Sequence, residues 1–244
     1  MIYRPSSNSI DPAMAHKNSS NWSPYKARKK NNSKPTGRPQ SPANSLARPP
    51  SERGSRHRKP VETYSFAEAD DRLYDVFRNH GFADYPHERR QVLTRFFQLL
   101  MANQGERNFT RILNLRDVGI KHFIDCLMVP RLVDLQFPLL DVGTGPGFPG
   151  IPLKIEFPEE RIILSEGVQK RVEFLKLVRA ELALKNLPII GRNINFEFFY
   201  PVRGVITRAV EDARNTLGNV INSLQTNGRV YLMKGPNCGP EIQP

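Results

Sequence analysis

Cysteine is nearly absent from this 244-residue chain: Cys126 and Cys238 are its only two. Two thiols build neither a disulfide framework nor a zinc site, and their scarcity fits a reducing cytoplasm. Histidine is also sparse. His16, His57, His80, His87 and His122 share no ligand spacing, so no metal is expected. No apolar run reaches the roughly 18 residues that a membrane helix needs, so no membrane partner is expected. No apolar stretch of leader length follows the N-terminus either, so no secretory signal is expected. No internal repeat occurs.

Residues 1–60 have few acids and few large apolar side chains. They carry 13 Lys/Arg against 2 Asp/Glu, which is +11 of the chain's net +12 and leaves the remainder at +1. Ile2, Ile10 and Leu46 are their only Ile, Leu, Val or Phe, among 11 Ser, 9 Pro and 6 Asn. So little apolar surface does not offset the entropy of ordering a backbone, and a disordered basic tail is expected. Runs such as YKARKKNNSKPTGRP suit capture of RNA through its phosphates. A solvated tail without a specific partner is the competing reading. The Arg- and Ser-rich, acid-poor start also has organelle-targeting composition, but nine prolines oppose an amphipathic helix there.

From about Val61 the chain reads as globular. SFAE (Ser65–Glu68) is a capping box, and Leu73, Val76 and Phe77 continue a helix toward Gly81 as C-cap. A second helix follows Pro86, with Val92, Leu93, Phe96, Phe97, Leu99 and Leu100 on one face. NLRDVGIKHFIDCL suggests a third, ending before Pro130. The period then changes. PLLDVG, RIILSE, LPIIG, GVITRA and GRVYLMKG are short apolar runs bounded by Pro, Gly or charge, as buried strands are. A helical stretch lies between them, with Val172, Leu175, Val178 and Leu182 in one stripe. The expected fold is α/β: a doubly wound parallel sheet over 137–244, a helical section over 61–136, and the tail over 1–60.

The loop in PLLDVGTGPGFPGIPL (Pro138–Leu153) follows the first strand and opens a helix, where such sheets bind ligands. Gly150 is followed by Ile151 and Pro152, not Lys-Ser/Thr, so it is no P-loop. Gly145-x-Gly147-x-x-Gly150 matches a dinucleotide fingerprint. Pro146 and Pro149, however, lack the N–H groups that a pyrophosphate needs, and Asp141 at the strand end suits a cation. S-adenosylmethionine carries an ammonium and a sulfonium and no phosphate. Glu166, 19 residues after Gly147, serves ribose hydroxyls in either reading. A dinucleotide and a purely structural turn remain as alternatives.

LLDVGTGPGFPGIPL, followed by EGVQKRVEFLKLVRAELALKN, GVITRA and LMKG, resembles the bacterial 16S rRNA guanine 7-methyltransferases, also called the glucose-inhibited division protein B family. The resemblance covers roughly residues 90–236, and KHFIDCL looks like the family's His-x-x-Asp-Ser-Leu segment with Cys126 for the serine. It implies an S-adenosyl-L-methionine-dependent methyltransferase acting on 16S ribosomal RNA or the small ribosomal subunit. Cofactor contacts are implied for Asp141, Gly143, Gly145, Phe148, Glu166 and Arg208, and at the adenine for Asn193 and Ile194. Arg208 and Lys234 are implied as the catalytic pair that grips the guanine edge or nearby phosphates.

The chain departs from the family at several positions. Asn193 and Ile194 stand where the family has x-Glu after the third strand, Ala102 replaces a tryptophan, and Arg203 stands where an acid precedes the fourth strand. The family also continues past Lys-Gly with a helix and two strands, whereas this chain ends at Pro244. A sheet shortened in that way has an uncovered edge that invites self-association. These departures keep a non-catalytic RNA- or partner-binding relative open as the alternative.

The chemistry asks for little acid–base machinery. Guanine N7 has a free lone pair and loses no proton on methylation, so no general base is required. His122 reads as a buried, hydrogen-bonded histidine and Cys126 as a small core residue.

Overall fold

The computed structural model describes residues 63–104, 109–208, 212–235, 238 and 239, all within the compact unit Ser55–Pro244. The expected disordered tail, 1–60, lies outside the described residues.

Helix α1 spans Phe66–Arg78, and its N-cap Ser65 accepts the Glu68 N–H at 3.2 Å. The helix stops at Asn79, two residues before the expected Gly81. Gly81 supplies the left-handed φ of +78° that turns the chain back, so that the Phe82 N–H reaches the Phe77 carbonyl. Helix α2 (His87–Ala102) packs on α1 through Leu93, Phe96, Phe97 and Leu100 against Leu73 and Phe77. Each such fully buried side chain contributes about 1.5–3 kcal/mol. A buried ion pair fixes their alignment: Arg90 donates twice to Asp70 at 3.0 Å, and Thr94 Oγ1 donates to Asp70 at 3.1 Å.

The third helix differs from its expectation in two ways. It is α3 (Leu115–Val118), then a wide π turn over Gly119–Ile124, then α4 (Asp125–Leu132). In the wide turn the Asp125 N–H reaches the Ile120 carbonyl, five residues back. The helix also runs through Pro130 instead of ending before it. Pro130 lies in the last turn, where its missing N–H removes a single bond, and the Val133 N–H still closes on the Val129 carbonyl.

Five parallel strands follow: β1 (Leu139–Val142), β2 (Ile162–Ser165), β3 (Ile189–Ile190), β4 (Val202–Arg208) and β5 (Leu224–Met233), in the order β3-β2-β1-β4-β5. All five answer to the apolar runs read from the sequence. Asp141 pairs with Leu164 on one side and Ile206 on the other. Helices α5 (Gly150–Glu156) and α6 (Gln169–Glu181) cover one face together with the helical section, in a single core. Helix α7 (Ala213–Val220) and the loop through Ile194 and Phe198 cover the other. The crossover from β3 to β4 is that loop, with no helix among its described residues. The strand order reverses between β1 and β4, and the carboxyl ends on either side of that point form a ligand crevice in sheets of this kind.

Candidate active site

Side chains alternate along β1, so Asp141 points to the same face as Leu139, toward α5. Its Oδ2 accepts the Gly150 N–H at 2.8 Å, and it is fully buried. A Cβ on Gly150 would lie 2.2 Å from Leu164 Cδ2 and 2.6 Å from Asp141 Oδ2, so only glycine admits this bond. One oxygen of the carboxylate read as facing a cationic ligand thus anchors the loop from below. Burial pushes its pKa up to about 7, against the pull of the Gly150 N–H and the Arg208 charge. Asp141 Oδ1 and Thr144 Oγ1 are buried without a hydrogen-bond partner.

Above Asp141 the loop passes through positive φ at Gly143 (67°), Gly145 (61°) and Gly147 (115°). Glu166, one residue beyond β2, closes the crevice. Its Oε2 accepts the Gly145 N–H at 3.0 Å and its Oε1 accepts the Val168 N–H at 2.8 Å. Arg171 Nη1 stands 3.4 Å from the same Oε2. Asn193 is exposed beside this acid, so close to Gly167 that a Cβ there would lie 2.0 Å from Asn193 Oδ1. Ile194 instead turns inward, 7% exposed, into the core of the second face.

Phe148, read as a cofactor contact, has its ring 3% exposed beneath the loop. It packs on Phe96 at 5.3 Å and stacks on His122 at 4.4 Å between centroids. Arg208 ends β4 and lies over the same ring at 5.4 Å. Its Nη1 donates to the Lys121 carbonyl at 3.3 Å and to Asp125 Oδ2 at 3.2 Å, and its Nη2 meets His122 Nδ1 at 3.0 Å. Asp125 also lines a groove of about 450 Å³ between α4 and β5, with Met128, Leu132, Met233 and Lys234. Arg208 pairs across the sheet with Met233, so Arg208 and Lys234 stand at neighbouring strand ends. His122, Asp125 and Arg171 went unread as parts of a site. The KHFIDC segment holds the first two, but only the fold brings it to Arg208. Among the described residues no group of three His, Cys, Asp or Glu side chains gathers to hold a metal.

A parallel sheet in this order, with a glycine loop after β1 and an acid after β2, is a Rossmann-type scaffold with a ligand crevice at its switch point. Residues 89–243 match the family model for rRNA small subunit methyltransferase G. A ribosomal RNA small subunit methyltransferase G 2 of Bdellovibrio bacteriovorus is 65% identical over 188 residues, 77% of this chain and 74% of that protein. A protein of the same name from Syntrophobacter fumaroxidans is 41% identical over 70% of this chain and 34% of its own length. Ribosomal RNA small subunit methyltransferase G of Mycoplasma capricolum is 33% identical over 70% of this chain and 75% of its own. The chain belongs to the rRNA small subunit methyltransferase G family.

Proposed function

We propose that this enzyme binds S-adenosyl-L-methionine between the ends of β1 and β2 and methylates N7 of a guanine in 16S ribosomal RNA. The observation that carries the reading is Glu166: a buried carboxylate after β2 tied to the N–H of Gly145 in the loop after β1. The residues fit the cofactor. Glu166 would hold the ribose hydroxyls, and the backbone of Gly143 and Gly145 would line the amino-acid end. Asn193, exposed at the rim, would flank the adenine, with the Ile194 backbone beside it. Asp141 would act from below, by holding the loop open through Gly150.

When bound, the cofactor supplies an activated methyl group. The protein's part is to bring a nitrogen lone pair into line with it, which is a positioning effect. Arg208 and Lys234, on the rim beside the β4 and β5 ends, would grip the guanine edge or an adjacent phosphate. Calorimetric titration with S-adenosyl-L-methionine, followed by methyl transfer onto unmethylated 16S RNA and mass analysis for 7-methylguanine, tests the reading. Saturable binding with 7-methylguanine formed is expected. Absence of binding at millimolar cofactor would overturn it in favour of a non-catalytic RNA-binding role.

A further inference from the structure

We propose that His122 is a positioning residue: its Nδ1 lone pair fixes the guanidinium of Arg208 at the substrate rim. The proposal rests on the reading of Arg208 as a substrate-facing cation.

A guanidinium only donates hydrogen bonds, so the 3.0 Å approach of Arg208 Nη2 makes His122 Nδ1 the acceptor. The ring proton then sits on Nε2, which faces Thr110 Oγ1 at 3.3 Å. Thr110 Oγ1 is itself fixed by the Ile112 N–H at 3.1 Å. The ring plane is set independently, by stacking on Phe148 at 19° between planes. His122 is 9% exposed, whereas the Asp125 side chain that shares Arg208 is 50% exposed. An exposed ion pair holds a long side chain weakly. The buried imidazole is the firmer of the two side-chain partners.

Charge agrees with this assignment. His122 faces Arg208 and Lys121, both cations, and Asp125 lies beyond Arg208. Burial and then the Arg208 charge lower the imidazole pKa to about 4. The ring is neutral at working pH, with one nitrogen donating and one accepting. It has no spare lone pair to take a proton, and N7 methylation offers it none. Phe148 joins the parts: the cofactor loop, the wide turn and the end of β4 meet on one ring.

The test compares His122→Phe, which keeps a stacked ring and loses the acceptor, with His122→Asn, whose Oδ1 takes the place of Nδ1. The phenylalanine variant is expected to lose about ten- to a hundredfold in kcat with the S-adenosyl-L-methionine Kd unchanged. The asparagine variant is expected to recover most of the loss. A phenylalanine variant at wild-type kcat, or an asparagine variant as slow as it, would overturn the assignment. Nitrogen NMR of the wild-type imidazole needs no variant to fold. The neutral, Nε2-protonated tautomer is expected from pH 6 to 9, and the Nδ1-protonated tautomer or an imidazolium would overturn the proposal. A wild-type protein that neither binds cofactor nor transfers methyl fails the reading of the preceding section instead, and the NMR arm still decides on His122.

Discussion

The Asp141 carboxylate and the Gly150 N–H meet at 2.8 Å across the base of the glycine loop, nine residues apart in the chain. The acid at the end of β1 braces the loop through one of its two oxygens. Its burial gives a pH signature. Below a pH of about 4, the ordinary carboxyl pKa, both folded and unfolded states hold the proton. Between there and about 7 only the folded state holds it, so this group's contribution to stability falls as pH rises through that window. Asp141→Asn keeps an acceptor for Gly150 and carries no charge. Its Tm relative to wild type is expected to rise from pH 5 to pH 8, and a flat difference would show that Asp141 is not held protonated.

Gly150→Ala drives a methyl group into Leu164 and Asp141 at 2.2 and 2.6 Å. Overpacking of this kind costs about 1–3 kcal/mol. Urea denaturation is expected to show that loss with an unchanged slope.

Lys154 is a charged residue inside the core, 1% exposed, with Nζ donating to the carbonyls of Pro158 at 2.7 Å and Glu160 at 2.6 Å. Lys154→Met removes both hydrogen bonds, and a hydrogen bond to a charged group contributes about 1.5–3 kcal/mol. A lower Tm with unchanged cofactor Kd is the expected result. A loss of cofactor binding in a protein of normal Tm would contradict the structural role.

Glu166→Gln removes the charge and leaves one acceptor oxygen for the two N–H groups, of Gly145 and Val168, that the carboxylate serves. Hydrogen bonds to charged groups contribute about 1.5–3 kcal/mol, so cofactor affinity is expected to fall at least tenfold. Calorimetry on a variant of unchanged Tm reads this directly. Unaltered affinity would move the ribose away from Glu166.

Removing residues 1–60 takes away +11 of the net charge. RNA affinity is expected to fall, and its dependence on salt to flatten, because fewer counterions are released. Cofactor Kd is expected to stay the same. An identical salt slope with and without the tail would assign it no part in RNA capture.

The strands were legible because each is a short apolar run with Pro, Gly or charge at its ends. The loop was legible as a ligand loop because it follows the first strand, and its prolines, which lack N–H donors, count against phosphate chemistry. Other features were not. Apolar periodicity does not register the single extra residue in the turn over Gly119–Ile124, and Pro130 looked like a stop because its place in a last turn depends on where the helix begins. Phe148 is named by the resemblance as a cofactor contact, but its burial is decided by Phe96 on α2 and Phe123 in the wide turn, which the loop's own residues do not reveal. The pairing of His122 with Arg208 joins positions 86 residues apart, and no local pattern encodes it.

The wide turn also acts on everything after it as a change of phase. A helix advances about 100° per residue, so closing one turn over five residues rather than four sets the following side chains one step round the axis. Leu115 and Val118 before the turn and Cys126 and Leu127 after it are buried in one core across that step. Were Gly119–Ile124 to close as ordinary α-helix without losing a residue, Asp125 would turn away from Arg208 and Cys126 out of the core. The length of this segment, counted in residues, is therefore as much a part of the site as the side chains it carries.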